Sequence, residues 1–234
     1  MGDGRMKLRM ELSDRDMDLL GGTCEFSQLS TPHYRELYFH GVSHSVADVV
    51  LTRLVRLGYL SRVGRRASQP QGGAGAWVYQ LGKFGRALFD IQSRPATQVS
   101  NHALMIADTF VSLVKAERAG VLIIKRRDVE LPVPPQRADL FASVDFPHQR
   151  RESKYFFEID LGNEARSIIL DKIAGYWQAS SVSKEEFFPW VVFVVRNQAI
   201  ANQLQRYIRD APTDQQEMVR VFMLGELVPK LMQL

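Results

Sequence analysis

The chain has 234 residues, 45% of them hydrophobic and 24% charged, with a net charge of +4 and a single cysteine. This is the balance of a globular protein long enough for two small domains, and it excludes an internal disulfide and a cysteine-based zinc site. The longest apolar runs, such as Trp190 to Val195, fall far short of the ~20 residues needed to cross a bilayer, and Met1 to Arg5 lack the apolar stretch of a secretory signal. No membrane partner and a cytoplasmic location are therefore expected.

The charge is unevenly spread. Residues 1–98 hold 13 Lys/Arg against 9 Asp/Glu, whereas residues 99–234 hold 17 of each. Within the first part, residues 44–66 carry Arg53, Arg56, Arg62, Arg65 and Arg66 against one acid, Asp48. Such local basicity favours a polyanionic partner, since each phosphate contact releases counterions. A solvated surface face is the plain alternative.

In chain order, Ser13 is a good N-cap and Asp14, Asp16 and Asp18 suit the start of a helix over about 14–24. Cys24 reads as a small buried residue. Ser30-Thr31-Pro32 opens a second helix, with Tyr34, Leu37 and Tyr38 as its apolar face. From Ser45 to Leu57, Val46, Val49, Val50, Leu54 and Leu57 read as the inner face of a third helix. Ser45, Asp48, Thr52 and Arg56 project from its other side, and Gly58 ends it. A strand at 59–63, a Gly- and Gln-rich stretch at 64–75 and a strand at 76–81 follow, then a helix at about 83–91 and a linker at Ser93 to Thr97.

Three helices followed by two strands around a basic loop is the order of a winged helix-turn-helix, which lays its third helix in the major groove of double-stranded DNA. On that reading Ser45, Thr52, Arg53 and Arg56 reach bases or phosphates, and Arg62, Arg65 and Arg66 of the wing track the backbone or the minor groove. His33, His40 and His44 lack the supporting ligands of a metal site.

Beyond the linker, helices and strands alternate. A helix is expected at 100–119, strands at 121–125, 138–144 and 154–160, a helix at about 164–179, a strand at 189–195, a helix at 198–209, a strand at 219–224 and a last helix. The fold class is thus α/β (α+β), with a DNA-binding domain over 1–93 and a mixed-sheet domain over 99–234. Asp139 lies on one strand and Glu158 and Asp160 share a face of the next, where alternation turns Phe157 and Ile159 to the core. Gathered carboxylates need compensation. Mg2+ or Mn2+ held by Asp139 and Glu158 would supply it and could activate water for phosphodiester hydrolysis. Lys172, on a stripe with Ile168 and Tyr176, reads either as a stabiliser of developing phosphorane charge or as a structural ion-pair partner of Glu158 or Asp160. His102, with Asp108 six residues on, reads as a capping or packing histidine, or as a residue facing the same cleft.

These residues resemble the replication-relaxation proteins of plasmids and other mobile elements. The resemblance is carried by Arg53-Leu54-Val55-Arg56-Leu57-Gly58-Tyr59-Leu60, His102-Ala103-Leu104, Ala138-Asp139, Phe157-Glu158-Ile159-Asp160-Leu161-Gly162 and Lys172-Ile173-Ala174-Gly175-Tyr176. It implies a DNA-binding protein of plasmid replication and relaxation, acting with other replication or mobilisation proteins. The order of elements over 100–195 also looks like the PD-(D/E)XK nuclease core, in which Asp139 and Glu158 match the metal-binding acids. Ala138 stands where proline is common and Asp160 where the catalytic lysine belongs, so Lys172 is either that lysine relocated or part of a site that has lost catalysis. The alternatives are an active endonuclease or nickase using Asp139, Glu158, Asp160 and Lys172, and a repressor that works as a homodimer.

Overall fold

The computed structural model describes residues 12–66 and 75–234. Met1 to Arg5 and most of the 64–75 stretch expected to form the wing loop lie outside the described residues. By internal packing the chain divides into two units, Met1–Ala107 and Asp108–Leu234.

The first unit runs α1 (Asp14–Phe26), β1 (Leu29–Ser30), α2 (Thr31–Tyr38), α3 (His44–Arg56), β2 (Leu60–Arg65), β3 (Trp77–Leu81) and α4 (Lys83–Leu88), and ends within α5 (Asn101–Arg118). The three strands form an antiparallel sheet in the order β1-β3-β2. Ser13 caps α1 as expected, accepting from the Asp16 amide at 3.3 Å while Asp16 Oδ2 takes the Ser13 amide at 2.9 Å. Leu19, Leu20, Leu29, Tyr34, Leu51, Leu54 and Val78 are fully enclosed, and Tyr34 meets Thr23 at 2.8 Å between hydroxyls. Cys24, expected to be buried, is only partly so.

The inner face of α3 departs from the sequence reading. Ala47, Leu51 and Leu54 are buried, whereas Val46 and Val49 are 37% and 67% exposed. The helical phase explains this: Val49 lies five residues from Leu54, about 140° around the axis, so the two cannot share a face. α3 ends at Gly58, where φ is +75° and the Tyr59 and Gly58 amides reach back to the carbonyls of Leu54 and Val55 at 3.0 Å each. Glycine adopts that conformation without steric cost.

The segment expected to be a linker is held to this unit by two glutamines. Gln80 exchanges two hydrogen bonds of 2.9 Å with the Ala96 backbone. Buried Gln28 donates to the Gln98 carbonyl at 3.0 Å and accepts from the Ser100 amide at 2.8 Å.

The second unit carries β4 (Ile123–Val133), β5 (Gln136–Phe146), β6 (Arg151–Ile159), α6 (Arg166–Val182), β7 (Trp190–Val195), α7 (Gln198–Ile208), α8 (Thr213–Glu217), β8 (Val219–Met223) and α9 (Leu227–Leu231). Its sheet follows chain order, β4-β5-β6-β7-β8, antiparallel through β6 and parallel from β6 to β8. The class is the expected mixture of helices and sheets. β4 extends eight residues past its expected end, its outer half carrying Arg126, Arg127, Asp128 and Glu130 on the sheet edge. Charges on an edge strand are compatible with pairing on one side only. Phe141, Phe156 and Phe193 pack with Ile169, Ile173 and Tyr176 of α6 on one face of the sheet. Leu140, Phe157, Ile159, Val192 and Val194 are buried on the other.

Candidate functional site

Two constellations stand out, one in each unit. In the first, the outward side of α3 carries Ser45, Val49, Thr52 and Arg56 on one stripe, flanked by Asp48 and Arg53, and together these six residues line an open depression. Their electrostatics differ. Arg35 of α2 donates to both carboxylate oxygens of Asp48 at 3.1 Å, so the one acid of the stripe is already neutralised. Arg53 turns back from the surface and donates to Asp16 Oδ1 at 2.5 Å, although its side chain remains 36% exposed. Burial opposes the charge of Asp16, but the Ser13 amide, Arg53 and the Ser13 hydroxyl outweigh it and hold its pKa below the ordinary carboxylate value. Ser45 lies 2.9 Å from the Ser43 hydroxyl. Arg56 is exposed and makes no ion pair among the described residues.

On the hairpin, Arg62 and Arg65 stack on the ring of Trp77, with guanidinium carbons 4.8 and 4.1 Å from its centre. Arg65 also donates to the Gly75 carbonyl at 2.8 Å. Arg66 continues the hairpin, its amide on the Ala76 carbonyl at 2.9 Å. Of the histidines, His33 is buried and accepts the Ser30 amide at 3.1 Å, closing the start of α2, whereas His40 and His44 are exposed.

In the second unit the register that pairs Leu140 with Phe157 carries on to set Asp139 across from Glu158 on the face covered by α6. Glu158 is 2% exposed and both its oxygens are taken: Tyr176 donates its hydroxyl at 2.5 Å and Lys172 its ammonium at 2.9 Å. Lys172 also reaches Glu164 at 2.9 Å. Asp139 accepts the Ile159 amide at 2.7 Å. Asp160 lies just past β6 and accepts the Gly162 amide at 2.6 Å, in a turn that Gly162 completes at a φ of +84°. That hydrogen bond shapes the strand exit.

Burial, then the neighbouring charge of Asp139, pushes Glu158 up to about 7, against the pull of Lys172 and the hydrogen bond from Tyr176. Burial works against the charge of Lys172, but Glu158 and Glu164 prevail and raise its pKa. The geometry of two donors on two oxygens is that of a carboxylate paired with an ammonium, the form that prevails above about pH 7. Asp160 is raised by burial despite the Gly162 amide.

A hard divalent cation needs several free oxygen ligands. Here Lys172 already sits on Glu158, and among the described residues no group of three or more His, Cys, Asp or Glu is gathered for a metal. The residues as placed do not fit Mg2+ or Mn2+. His102 and Asp108, six residues apart on α5, point about 120° apart around the helix and share no face. Sequence alone gives neither Tyr176 nor Glu164 a part in this cluster, although it sets Tyr176 on one stripe with Lys172. Tyr176 lies one helical turn beyond Lys172, a spacing that signals it, whereas Glu164 precedes α6 in a loop and carries no such signal.

A family model described as replication-relaxation matches residues 24–189, more than half of the chain. The chain belongs to the replication-relaxation family. The match takes in α3, the hairpin, Asp139, Glu158, Asp160 and Lys172, and its description associates the chain with replication and relaxation. A search of curated proteins returns no match. No helix among the described residues is long and apolar enough to cross a membrane.

Proposed function

We propose that this chain binds double-stranded DNA through a winged helix in its first unit and serves the replication and relaxation of a plasmid or other mobile element. In this reading the second unit is a PD-(D/E)XK-like domain whose acids are held for structure rather than catalysis. The observation that carries the proposal is the outward stripe of α3, where Arg56 is exposed beside donors Ser45 and Thr52, with Arg62 and Arg65 on the adjoining hairpin. Helix, short strand, helix, helix and hairpin in that order suit a reading helix placed in the major groove. The family match supports the biological setting.

Duplex binding measured against salt tests the first half. Contacts from Arg56, Arg62 and Arg65 give a slope of log affinity against log salt of about −3, which each single alanine variant lowers by about 1. Binding that ignores salt, or that all three variants retain unchanged, overturns it. Supercoiled plasmid incubated with magnesium or manganese tests the second half. The plasmid is expected to stay supercoiled, and nicking that disappears in Glu158→Ala overturns the non-catalytic reading.

A further inference from the structure

Among the described residues of the first unit, Val49 is the most exposed large apolar side chain, at 67%, and it stands in the middle of the stripe formed by Ser45, Thr52 and Arg56. Neither packing nor helix stability accounts for it. Its side chain faces away from the buried row of Ala47, Leu51 and Leu54, and a β-branched residue is among the weaker choices for an exposed helical position. A lone exposed valine is common on protein surfaces. This one has a second beside it, Val46 at 37%, one turn earlier on the same helix. The surround is polar and lacks free negative charge, since Asp48 is held by Arg35.

An apolar spot ringed by hydroxyl and guanidinium donors matches one feature of duplex DNA. In the major groove, thymine shows its 5-methyl group beside hydrogen-bond acceptors and close to the phosphates. We propose that Val49 reads the 5-methyl group of a thymine in the DNA target, with Val46 extending the apolar contact and Ser45, Thr52 and Arg56 holding the neighbouring polar edges and backbone. The inference rests on the DNA-binding reading of the first unit and adds a specificity determinant to it.

The test uses the full chain to select its preferred duplex from a randomised library. Each thymine of the selected site is then replaced in turn by deoxyuridine, which removes only the methyl group. One position is expected at which the replacement weakens binding about fourfold, the worth of one buried methyl-sized group. Val49→Ala, which keeps a smaller methyl contact, should lose part of the preference for the thymine duplex, and Val49→Asn, polar and of similar size, should no longer distinguish it from the deoxyuridine duplex. Thermal melting of both variants is expected to match the parent, because the site is exposed. If no deoxyuridine position matters, or if Val49→Ala keeps the full discrimination, the thymine contact is wrong while DNA binding stands. If no duplex is enriched at all, both readings fall.

Discussion

Asp16 and Glu158 are both buried carboxylates beside a cation, yet their acid strengths move in opposite directions. Asp16 gains from three donors and ends below its ordinary value, so its contribution is present above the unfolded pKa and is lost as pH falls below about 4. Asp16→Asn should flatten that acid limb in thermal melts, and Arg53→Ala, which strands the carboxylate while water still reaches the site, should cost about 1–3 kcal/mol. Glu158 behaves inversely. With a folded pKa of about 7 against 4.5 for a free glutamate, the folded state holds its proton longer than the unfolded chain. Stability therefore declines as pH rises from about 4.5 to about 7 and levels off above that. Glu158→Gln keeps an acceptor for Tyr176 and should abolish the decline. Lys172→Met leaves a buried carboxylate without its cation and should destabilise at pH 8 by about 3–5 kcal/mol. A melt series from about pH 2 to 8 on the four variants checks these outcomes together.

At the scale of elements, the hairpin of β2 and β3 depends on Trp77, which two arginines cover. Trp77→Ala removes both stacking contacts and should cost about 1–2 kcal/mol, while freeing Arg62 and Arg65 and weakening duplex binding. Calorimetry and a binding titration separate the two effects. The order of elements was readable from the sequence because caps, turn glycines and apolar spacing agree along most of the chain, as at Ser13, Gly58 and the Trp190–Val195 strand. Three features resisted. The expected strand stops at 125, because the charged stretch from Arg126 to Glu130 takes strand form only through its pairing with β5. Residue type alone assigns Val49 to the inner face of α3, although its angle of about 140° to Leu54 forbids it. The pairing of Lys172 with Glu158 was one of two open readings, since it depends on how α6 crosses the sheet and not on any spacing within one element.

For the whole molecule, composition suggests a linker at Ser93 to Thr97, but Gln80 binds Ala96 within it, and Gln28 binds Gln98 and Ser100 just beyond it, to the first unit. The division into units accordingly falls further on, between Ala107 and Asp108. Gln28→Ala should leave two backbone groups without their partner and speed trypsin cleavage after Arg94, followed by gel against time; unchanged cleavage would show that Gln80 alone secures the segment. The arrangement of α3 has a separate bearing on how such proteins diversify. Its inward residues, its ion pair to Asp16 and its Gly58 terminus set where the helix sits, whereas Ser45, Val49, Thr52 and Arg56 contribute nothing buried to that placement. Those four positions can be exchanged as a set without touching the scaffold, so under the proposed DNA-binding reading a relative can acquire a new target by rewriting one face of one helix.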